Sequence, residues 1–319
     1  MRRGRWARTM LAGVVVLLAA STLSASTATP TVLAGDESNR TDPCRRPVVP
    51  AGLTTRRIVS GGAERLALLY LPRTVTPTAR VPLVLDLHGS GSTPREELDR
   101  TTITATADRA GFAVLAPQAG LPVSAGRHRA GFLWHVPGVG LVTGKVPPPN
   151  APDDLRFLRD AITAMGHTVC LDTNRVYVTG FSGGGRMASQ VGCELSDRVA
   201  AIAPVSGLRF PQRCQPSRPM PVVSFHGTAD TVNPYLGGKN SRWQHSIPEV
   251  TAQWATADHC SPTPVDARIT PTVGTTTYTG CRDGSEVLLY TIEGGTHAWP
   301  TKTVDATDLI WSFFQRHNH

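Results

Sequence analysis

Residues 175–186 read Arg-Val-Tyr-Val-Thr-Gly-Phe-Ser-Gly-Gly-Gly-Arg, and the fold can be worked out from this stretch. Its first part, Val176–Val178, is a β-branched and aromatic run of the kind found in buried strands. The five residues Gly180–Gly184 fit the pattern G-x-S-x-G, and the residues from Met187 onward can continue as a helix. A strand, a tight turn with serine at its apex and a helix together form a nucleophile elbow. We therefore expect Ser182 at the apex with strained backbone angles, against the simpler alternative of an ordinary glycine-rich turn.

Outward from this stretch, apolar runs alternate with segments that can form helices. The run Val81–Leu87 is almost continuously apolar, which is typical of a parallel strand covered on both faces. Further strands are predicted at 64–71, 112–115, 199–205, 221–225, 275–278 and 287–292. Helices are predicted at 94–110, 154–162, 247–257 and 304–315, and a long irregular loop at 119–150. This alternation predicts an α/β fold, with a mostly parallel central sheet and helices on both faces, in a single domain over residues 55–319.

The first 28 residues have the pattern of a secretory signal peptide. Four arginines precede an apolar run, Met10–Ala20, that is too short to span a membrane, and small residues follow up to Ala28. A pair of arginines near the start allows twin-arginine export as well as the general secretory route. Residues 29–54 are polar and proline-rich, and are predicted to be a flexible lead-in. Leu33-Ala34-Gly35 resembles part of a lipoprotein box, but Asp36 stands where the lipidated cysteine belongs, so no lipid anchor is expected there.

The charge distribution excludes some classes of function. Net charge is +8, and the four arginines of the predicted signal peptide account for half of it. No basic run or interleaving of basic and aromatic residues predicts nucleic-acid binding. No C-x-x-C or H-x-x-x-H spacing predicts a metal site.

Six cysteines in an exported chain indicate three disulfides, with free buried thiols as the alternative. Cys260 and Cys281 flank a short extended segment and should pair. Cys193 and Cys214 flank the helix-to-strand unit after the elbow and are the second predicted pair. Cys44–Cys170 follows by elimination.

Three predicted strand ends carry Ser182, Asp230 and His297, in that order along the chain. Reactive groups collect beyond the carboxyl ends of the strands in a parallel sheet, and this order is that of the α/β-hydrolase triad. A serine hydroxyl needs a base such as imidazole, and the imidazole needs a carboxylate that fixes its tautomer. We therefore predict Ser182 as nucleophile, His297 as base and Asp230 as the acid.

Other residues compete for these roles. His226 also lies at a strand end, but it precedes the acid in sequence. Asp258 and Asp283 do not follow a clear apolar strand. Asp153 and Asp154 open a predicted helix, where capping and the helix dipole explain them better than a catalytic carboxylate pair does.

The tetrahedral intermediate needs preorganised N–H donors. The backbone N–H of Gly183 is one predicted donor, and the N–H of Ser90, in the loop after Leu87, is the other. The candidates for the substrate cleft are His88, Trp134, Phe181 and Trp299. A structural hydrogen bond is favoured for His88, and each tryptophan could equally serve in packing.

Five motifs together carry a family resemblance: Leu-His-Gly-Ser-Gly-Ser (87–92), Pro-Gln (117–118), Val-Thr-Gly-Phe-Ser-Gly-Gly (178–184), His-Gly-Thr-Ala-Asp (226–230) and Gly-Gly-Thr-His-Ala-Trp-Pro (294–300). Over roughly residues 55–318 the chain resembles the secreted polyhydroxybutyrate depolymerase-like and feruloyl/acetylxylan esterase group, within carbohydrate esterase family 1. The resemblance implies a single α/β-hydrolase domain, no cofactor, hydrolysis of carboxylic esters and the same triad. The run of three glycines at 183–185 departs from the family pattern, and no appended carbohydrate- or polyester-binding module is recognised.

The function predicted from these residues is that of a secreted serine esterase. Its substrates would be feruloyl or acetyl esters of polysaccharide, or short 3-hydroxyalkanoate oligomers. A peptidase on the same fold and a non-catalytic scaffold used for binding are the alternatives. The ester substrate is the only partner expected: no partner protein, nucleic acid or stable membrane anchor is inferred.

Overall fold

The computed structural model describes residue 44 and residues 49–76, 78–124, 130–238 and 243–319. The predicted signal peptide lies outside the described residues, as does most of the predicted lead-in. The first strand begins at Gly52, so the last three residues of the predicted lead-in belong to the sheet.

The described residues form twelve strands and six α-helices. The strands are β1 (Gly52–Ser60), β2 (Ala63–Leu71), β3 (Val81–Leu87), β4 (Ala113–Pro117), β5 (Leu121–Ser124), β6 (Ala130–Leu133), β7 (Leu171–Phe181), β8 (Ala201–Val205), β9 (Val222–Gly227), β10 (Val265–Thr270), β11 (Val273–Tyr278) and β12 (Val287–Ile292). The helices are α1 (Pro94–Thr101), α2 (Ile103–Ala110), α3 (Asp154–Thr168), α4 (Gly183–Glu194), α5 (Ile247–Ala257) and α6 (Ala306–Phe314). No helix in the described part of the chain is long and apolar enough to cross a bilayer.

Ten strands form one sheet in the order β1-β2-β4-β3-β7-β8-β9-β12-β11-β10. The six central strands, from β4 to β12 in this order, run parallel. Antiparallel strands extend the sheet at both edges. The predicted α/β fold with a mostly parallel sheet is therefore confirmed.

Apolar side chains cover both faces of this sheet. Along β3, Leu83, Leu85 and Leu87 point into one core with α3, α4 and α5, and Val84 points into a second core with α1, α2 and α6. Side chains alternate across a strand, so an uninterrupted apolar strand feeds two cores at once. This arrangement places the carboxyl ends of the parallel strands at one edge, where the loops that carry polar residues meet.

The structure departs from the sequence-based prediction in three places. The helix predicted over 94–110 is broken at Thr102, whose φ of 51° ends α1 and starts α2. The loop predicted over 119–150 contains a small hairpin, β5–β6, which an isolated bridge between Ser92 and Phe132 joins to the loop after β3. Strands β1 and β10 were not predicted, because their exposed edge positions lack the apolar run that marks a buried strand.

All three predicted disulfides are present: Cys44–Cys170, Cys193–Cys214 and Cys260–Cys281. The second joins the last turn of α4 to the loop after β8. That loop also borders the site described next.

Candidate active site

Ser182 lies at the sharp junction between β7 and α4, as the pattern predicts. Its φ of 55° and ψ of −110° are strained for a residue with a side chain. The backbone holds this conformation, since Ser182 N–H donates to the Val205 carbonyl at 2.9 Å and Arg186 N–H donates to the Ser182 carbonyl at 3.0 Å. The elbow therefore points one serine side chain out of the turn at the carboxyl edge of the sheet.

Glycines flank Ser182 because neighbouring backbone passes very close to them. A Cβ on Gly184 would overlap the carbonyl oxygen of Leu87, at the end of β3. The unusual third glycine, Gly185, has a reason of the same kind. A Cβ there would lie 3.0 Å from the Gly180 oxygen and 3.1 Å from the Cα of Gly207, in the loop after β8. The glycine run thus lets three strand ends converge on the serine.

His297 and Asp230 meet in the loops after β12 and β9. His297 Nδ1 donates to Asp230 Oδ2 at 2.7 Å. Asp230 Oδ1 accepts two backbone N–H groups, from Val232 at 2.9 Å and from Asn233 at 2.7 Å. Because Nδ1 carries the proton that Asp230 accepts, Nε2 of neutral His297 is left as a proton acceptor.

Opposing effects act on the Asp230 carboxyl, whose side chain is fully buried. Burial alone would raise its pKa, but the hydrogen bonds from His297 and from the Asn233 N–H outweigh burial, and the pKa lies below its ordinary value. Asp230 is therefore ionised at neutral pH and can stabilise an imidazolium at His297.

The two loops are tied to each other. Ala229 N–H donates to the Gly295 carbonyl at 2.9 Å, and Gly294 N–H donates to the Thr228 hydroxyl at 2.9 Å. A Cβ on Gly227 would overlap the Gly295 backbone. This contact fixes the distance between the acid and the base.

Phe181 connects this pair to the elbow, since its ring centroid lies 4.8 Å from that of His297. In the described part of the chain, the Ser182 hydroxyl makes no hydrogen bond to His297. Such bonds commonly tighten only when substrate is bound. The base and the acid are therefore already joined, and the base contacts the residue that precedes Ser182.

Ser90 lies directly beside Gly183. A Cβ on Gly183 would be 3.1 Å from the Ser90 backbone nitrogen. Among the described residues, neither the Ser90 nor the Gly183 backbone N–H has a protein acceptor. The Ser90 loop is held by Gly91 N–H, which donates to the Phe132 carbonyl at 2.9 Å. The arrangement therefore offers two open N–H donors next to Ser182.

Residues 66–250, which are more than half of the chain, match the family described as esterase PHB depolymerase. The chain belongs to this esterase family. The resemblance read from the motifs is thereby confirmed, and with it membership of a family of carboxylic-ester hydrolases.

Individual relatives of this esterase-family chain differ in how much of it they cover. Feruloyl esterase B of Piromyces equi is 36% identical over 157 residues, which are 46% of this chain and 29% of that protein. The chain thus spans less than a third of that relative. The putative esterase NocK of Nocardia uniformis subsp. tsuyamanensis is 28% identical over 286 residues, covering 81% of this chain and 77% of that protein.

Solved structures show the fold. An acetyl xylan esterase from Aspergillus awamori superposes with a TM-score of 0.59 at 16% identity, over 82% of this chain and 99% of that one. An S-formylglutathione hydrolase from Agrobacterium tumefaciens gives a TM-score of 0.55 at 12% identity, over 85% and 98%. At such identities the likeness establishes the α/β-hydrolase fold.

His88 is not a cleft residue in this esterase-family protein. Its side chain is fully buried, Nδ1 donates to the Gly89 carbonyl at 2.8 Å, and Nε2 accepts the Ala119 N–H at 3.1 Å. Burial lowers its pKa to about 4, so the ring is neutral. Both ring nitrogens are occupied by backbone, and His88 therefore orders the loop that carries Ser90.

Of the other three cleft candidates, one lies in the core and two lie beside the site. Trp299 is buried and donates to the Thr307 hydroxyl at 3.1 Å, so it belongs to the core beside α6. Trp134 borders a small cavity together with Ser90 and Gly183. Phe181 contacts His297, as described above. Only Trp134 and Phe181 of the four thus adjoin the site.

The residues that compete with His297 and Asp230 for the roles of base and acid have other contacts. His226 Nε2 donates to the Asn233 carbonyl at 2.8 Å, and burial lowers the pKa of His226. Asp258 accepts the Met220 N–H at 2.9 Å, just before the amino end of β9 and so at the opposite end of that strand from the site, and burial raises its pKa to about 6. Asp283 lies in a short 3-10 turn after β11.

The helix-opening pair has two separate roles. Asp153 caps α3, since its side chain accepts the Arg156 N–H at 2.9 Å, as predicted. Asp154 is buried, pairs with Arg65 at 2.5 Å and accepts the His135 N–H at 2.8 Å. Burial raises the pKa of Asp154. This ion pair anchors the loop after β6 to the sheet.

Sequence reasoning missed a buried carboxyl pair beneath the Ser90 loop. Asp86 accepts the Thr101 hydroxyl at 2.8 Å, whereas Glu97 accepts the Gly89 N–H and Arg100 Nε, each at 3.3 Å. Burial raises the pKa of Asp86, and burial and the neighbouring Asp86 raise that of Glu97. The one signal was an aspartate inside an apolar strand, because a charge in such a run needs a buried partner.

Proposed function

We propose that this chain is an exported serine esterase that hydrolyses carboxylic esters through an acyl-enzyme. Ser182 is the nucleophile, His297 the general base and Asp230 the carboxylate that orients the base. The observation that carries the proposal is the 2.7 Å hydrogen bond from His297 Nδ1 to Asp230, beside a serine in a strained elbow.

The proposed reaction has two halves. Ser182 Oγ attacks the ester carbonyl while His297 Nε2 takes its proton, and the tetrahedral oxyanion accepts hydrogen bonds from the Ser90 and Gly183 N–H groups. Collapse of the intermediate breaks the bond to the alcohol, which receives the proton from His297. A water molecule then repeats the sequence on the acyl-enzyme, and it releases the acid and restores Ser182.

The proposed substrates are feruloyl or acetyl esters of polysaccharide, or short 3-hydroxyalkanoate oligomers. The names of the feruloyl esterase relative and of the family support these two chemistries. The aromatic side chains of Phe181 and Trp134 beside the site suit a substrate with apolar groups.

Export is part of the proposal. The signal-like first 28 residues support it, and so do three disulfides, which persist in oxidising compartments.

Ser182→Ala tests the proposal most simply. We expect hydrolysis of p-nitrophenyl acetate to fall by more than about a thousandfold, with covalent labelling by a fluorophosphonate abolished. Ser261→Ala, at an exposed serine away from the site, is the matched control and should label fully. Hydrolysis that survives in folded Ser182→Ala would refute the proposed nucleophile.

A further inference from the structure

A second cavity, of about 260 Å³, opens near the loop after β8. The described residues that line it include Arg209, Arg213, Trp243 and His245, and no aspartate or glutamate. Among the described residues, neither arginine forms an ion pair. The cavity is therefore cationic without an internal counter-charge.

Arg209 is half-buried, and in the described part of the chain its guanidinium donates hydrogen bonds only to neutral groups. Its Nη1 donates to the Pro137 carbonyl at 3.4 Å and to Gln190 Oε1 at 3.2 Å. In the described residues, its Nε and Nη2 donate to no acceptor. These two N–H groups form the edge of a guanidinium that binds a carboxylate through two parallel hydrogen bonds. Burial lowers the pKa of Arg209 to about 10, which still leaves it charged at neutral pH.

The backbone fixes Arg209 in place. Its N–H donates to Ser189 Oγ at 3.2 Å, and its carbonyl accepts the Trp254 indole N–H at 2.8 Å. Arg213 is exposed at a φ of 57°, an unfavourable angle for arginine, next to the disulfide at Cys214. The backbone of Arg209 is therefore fixed before any ligand binds, and the disulfide anchors the loop beside Arg213.

The cavity is close to the nucleophile elbow. Gly207, whose Cα packs against Gly185, precedes Arg209 by two residues, which span at most about 7 Å. Arg186 borders the small cavity beside Ser90, and its guanidinium carbon lies 5.0 Å from the ring centroid of Trp243, in the second cavity. The linings of the two cavities thus meet at Arg186 and Trp243.

We propose that this second cavity is a subsite for a carboxylate carried by the substrate, bound by the open edge of Arg209 with Arg213 beside it. This inference rests on the proposed function, because it places the scissile ester at Ser182. The carboxylate has two possible sources: a uronic-acid group on an esterified polysaccharide, or the free terminal acid of a 3-hydroxyalkanoate oligomer. Glu249 lines the adjoining cavity and accepts hydrogen bonds from Ser246.

Paired substrates test the proposal and separate the two sources. One pair is an acetylated xylo-oligosaccharide with and without a glucuronic-acid branch, and the other is a 3-hydroxybutyrate trimer as free acid and as methyl ester. For each pair we take the ratio of kcat/KM for the acid to kcat/KM for its neutral partner. Arg209→Gln should lower this ratio by about tenfold to a hundredfold in one of the two pairs, and the pair that responds identifies the source of the carboxylate. Arg213→Gln should lower the same ratio less. Arg209→Lys keeps the charge but loses the paired N–H groups, so it should recover only part of the ratio. Arg80→Gln, an exposed arginine just before β3 at the opposite edge of the sheet, is the control and should leave the ratio unchanged.

A binding measurement keeps this proposal separate from the catalytic one. Calorimetry with Ser182→Ala should detect binding of the acid member of the favoured pair, and adding Arg209→Gln should abolish it. If Ser182→Ala loses hydrolysis but the ratio and the binding do not respond to Arg209, the carboxylate subsite is refuted while the proposed function stands. If folded Ser182→Ala still hydrolyses esters, the proposed function fails, and binding that depends on Arg209 would still support the subsite.

Discussion

Replacing Asp230 by asparagine should disable His297 without disturbing the fold. Asp230 Oδ1 accepts the Val232 and Asn233 N–H groups, and Oδ2 accepts His297 Nδ1. In Asp230→Asn, the amide oxygen must stay at the two backbone donors, so the NH₂ group faces His297 Nδ1. Since both of these groups cannot donate to each other, Nδ1 becomes an acceptor and the proton moves to Nε2.

The size of the effect follows from this change of tautomer. With Nε2 protonated, His297 cannot take the Ser182 proton, and a loss of about 10⁴ in kcat is expected, as for an enzyme with the same triad and the same substitution. The assay is steady-state hydrolysis of p-nitrophenyl acetate, together with ¹⁵N NMR of the His297 ring to read the tautomer. Asp266→Asn, at an exposed position on β10, is the matched control. A kcat within tenfold of the parent, or a His297 ring still protonated at Nδ1, would refute the reasoning.

Three further predictions concern the frame of the site. Gly184→Ala places a Cβ against the Leu87 carbonyl and should lower the free energy of unfolding by about 2 kcal/mol or more. Gly274→Ala, whose Cβ would lie 3.6 Å from its nearest neighbour, is the control and should lower the free energy of unfolding less. Urea denaturation of the two variants measures the difference. Burial raises the pKa values of Asp86 and Glu97, so this pair binds more protons in the folded state than in the unfolded state, and its contribution to stability should fall as pH rises above the ordinary carboxyl pKa. A combined Asp86→Asn and Glu97→Gln variant should therefore lose less stability with rising pH than the parent, and an unchanged pH dependence would contradict this. Removing Cys193–Cys214, which closes a loop of 21 residues, should cost about 3 kcal/mol, and an unchanged melting temperature in the double alanine variant would argue against it.

The elbow and the order of the site residues were predictable because their signals are local. Strand, turn and helix follow one another within residues 171–194, and the small residues around Ser182 are needed by the turn itself. Asp230 and His297 each follow an apolar strand within a few residues, so a parallel sheet brings them to the same edge. Predictions of this kind need only the parallel direction of the strands. The alternation of apolar runs with helical segments indicates that direction.

The remaining features depend on contacts between distant residues. Gly185 is needed because Gly207, in another loop, packs against it. Asp86 accepts a hydrogen bond from Thr101 on α1, and Asp154 forms an ion pair with Arg65 on β2. A structural hydrogen bond was favoured for His88 from the sequence, but its partners, Gly89 and Ala119, come from two different loops. Contacts between residues that are distant in sequence leave no local pattern, so the sequence alone did not predict the partners of these residues.

The most direct test of the account is a rapid-quench experiment with p-nitrophenyl acetate, followed by mass spectrometry of the digested protein. We expect a burst of p-nitrophenol and an acetyl group on Ser182, with neither seen in Ser182→Ala. An acetyl group on another residue, or turnover in which acid quenching at short times traps no covalent intermediate, would contradict Ser182 as the nucleophile of this esterase-family protein.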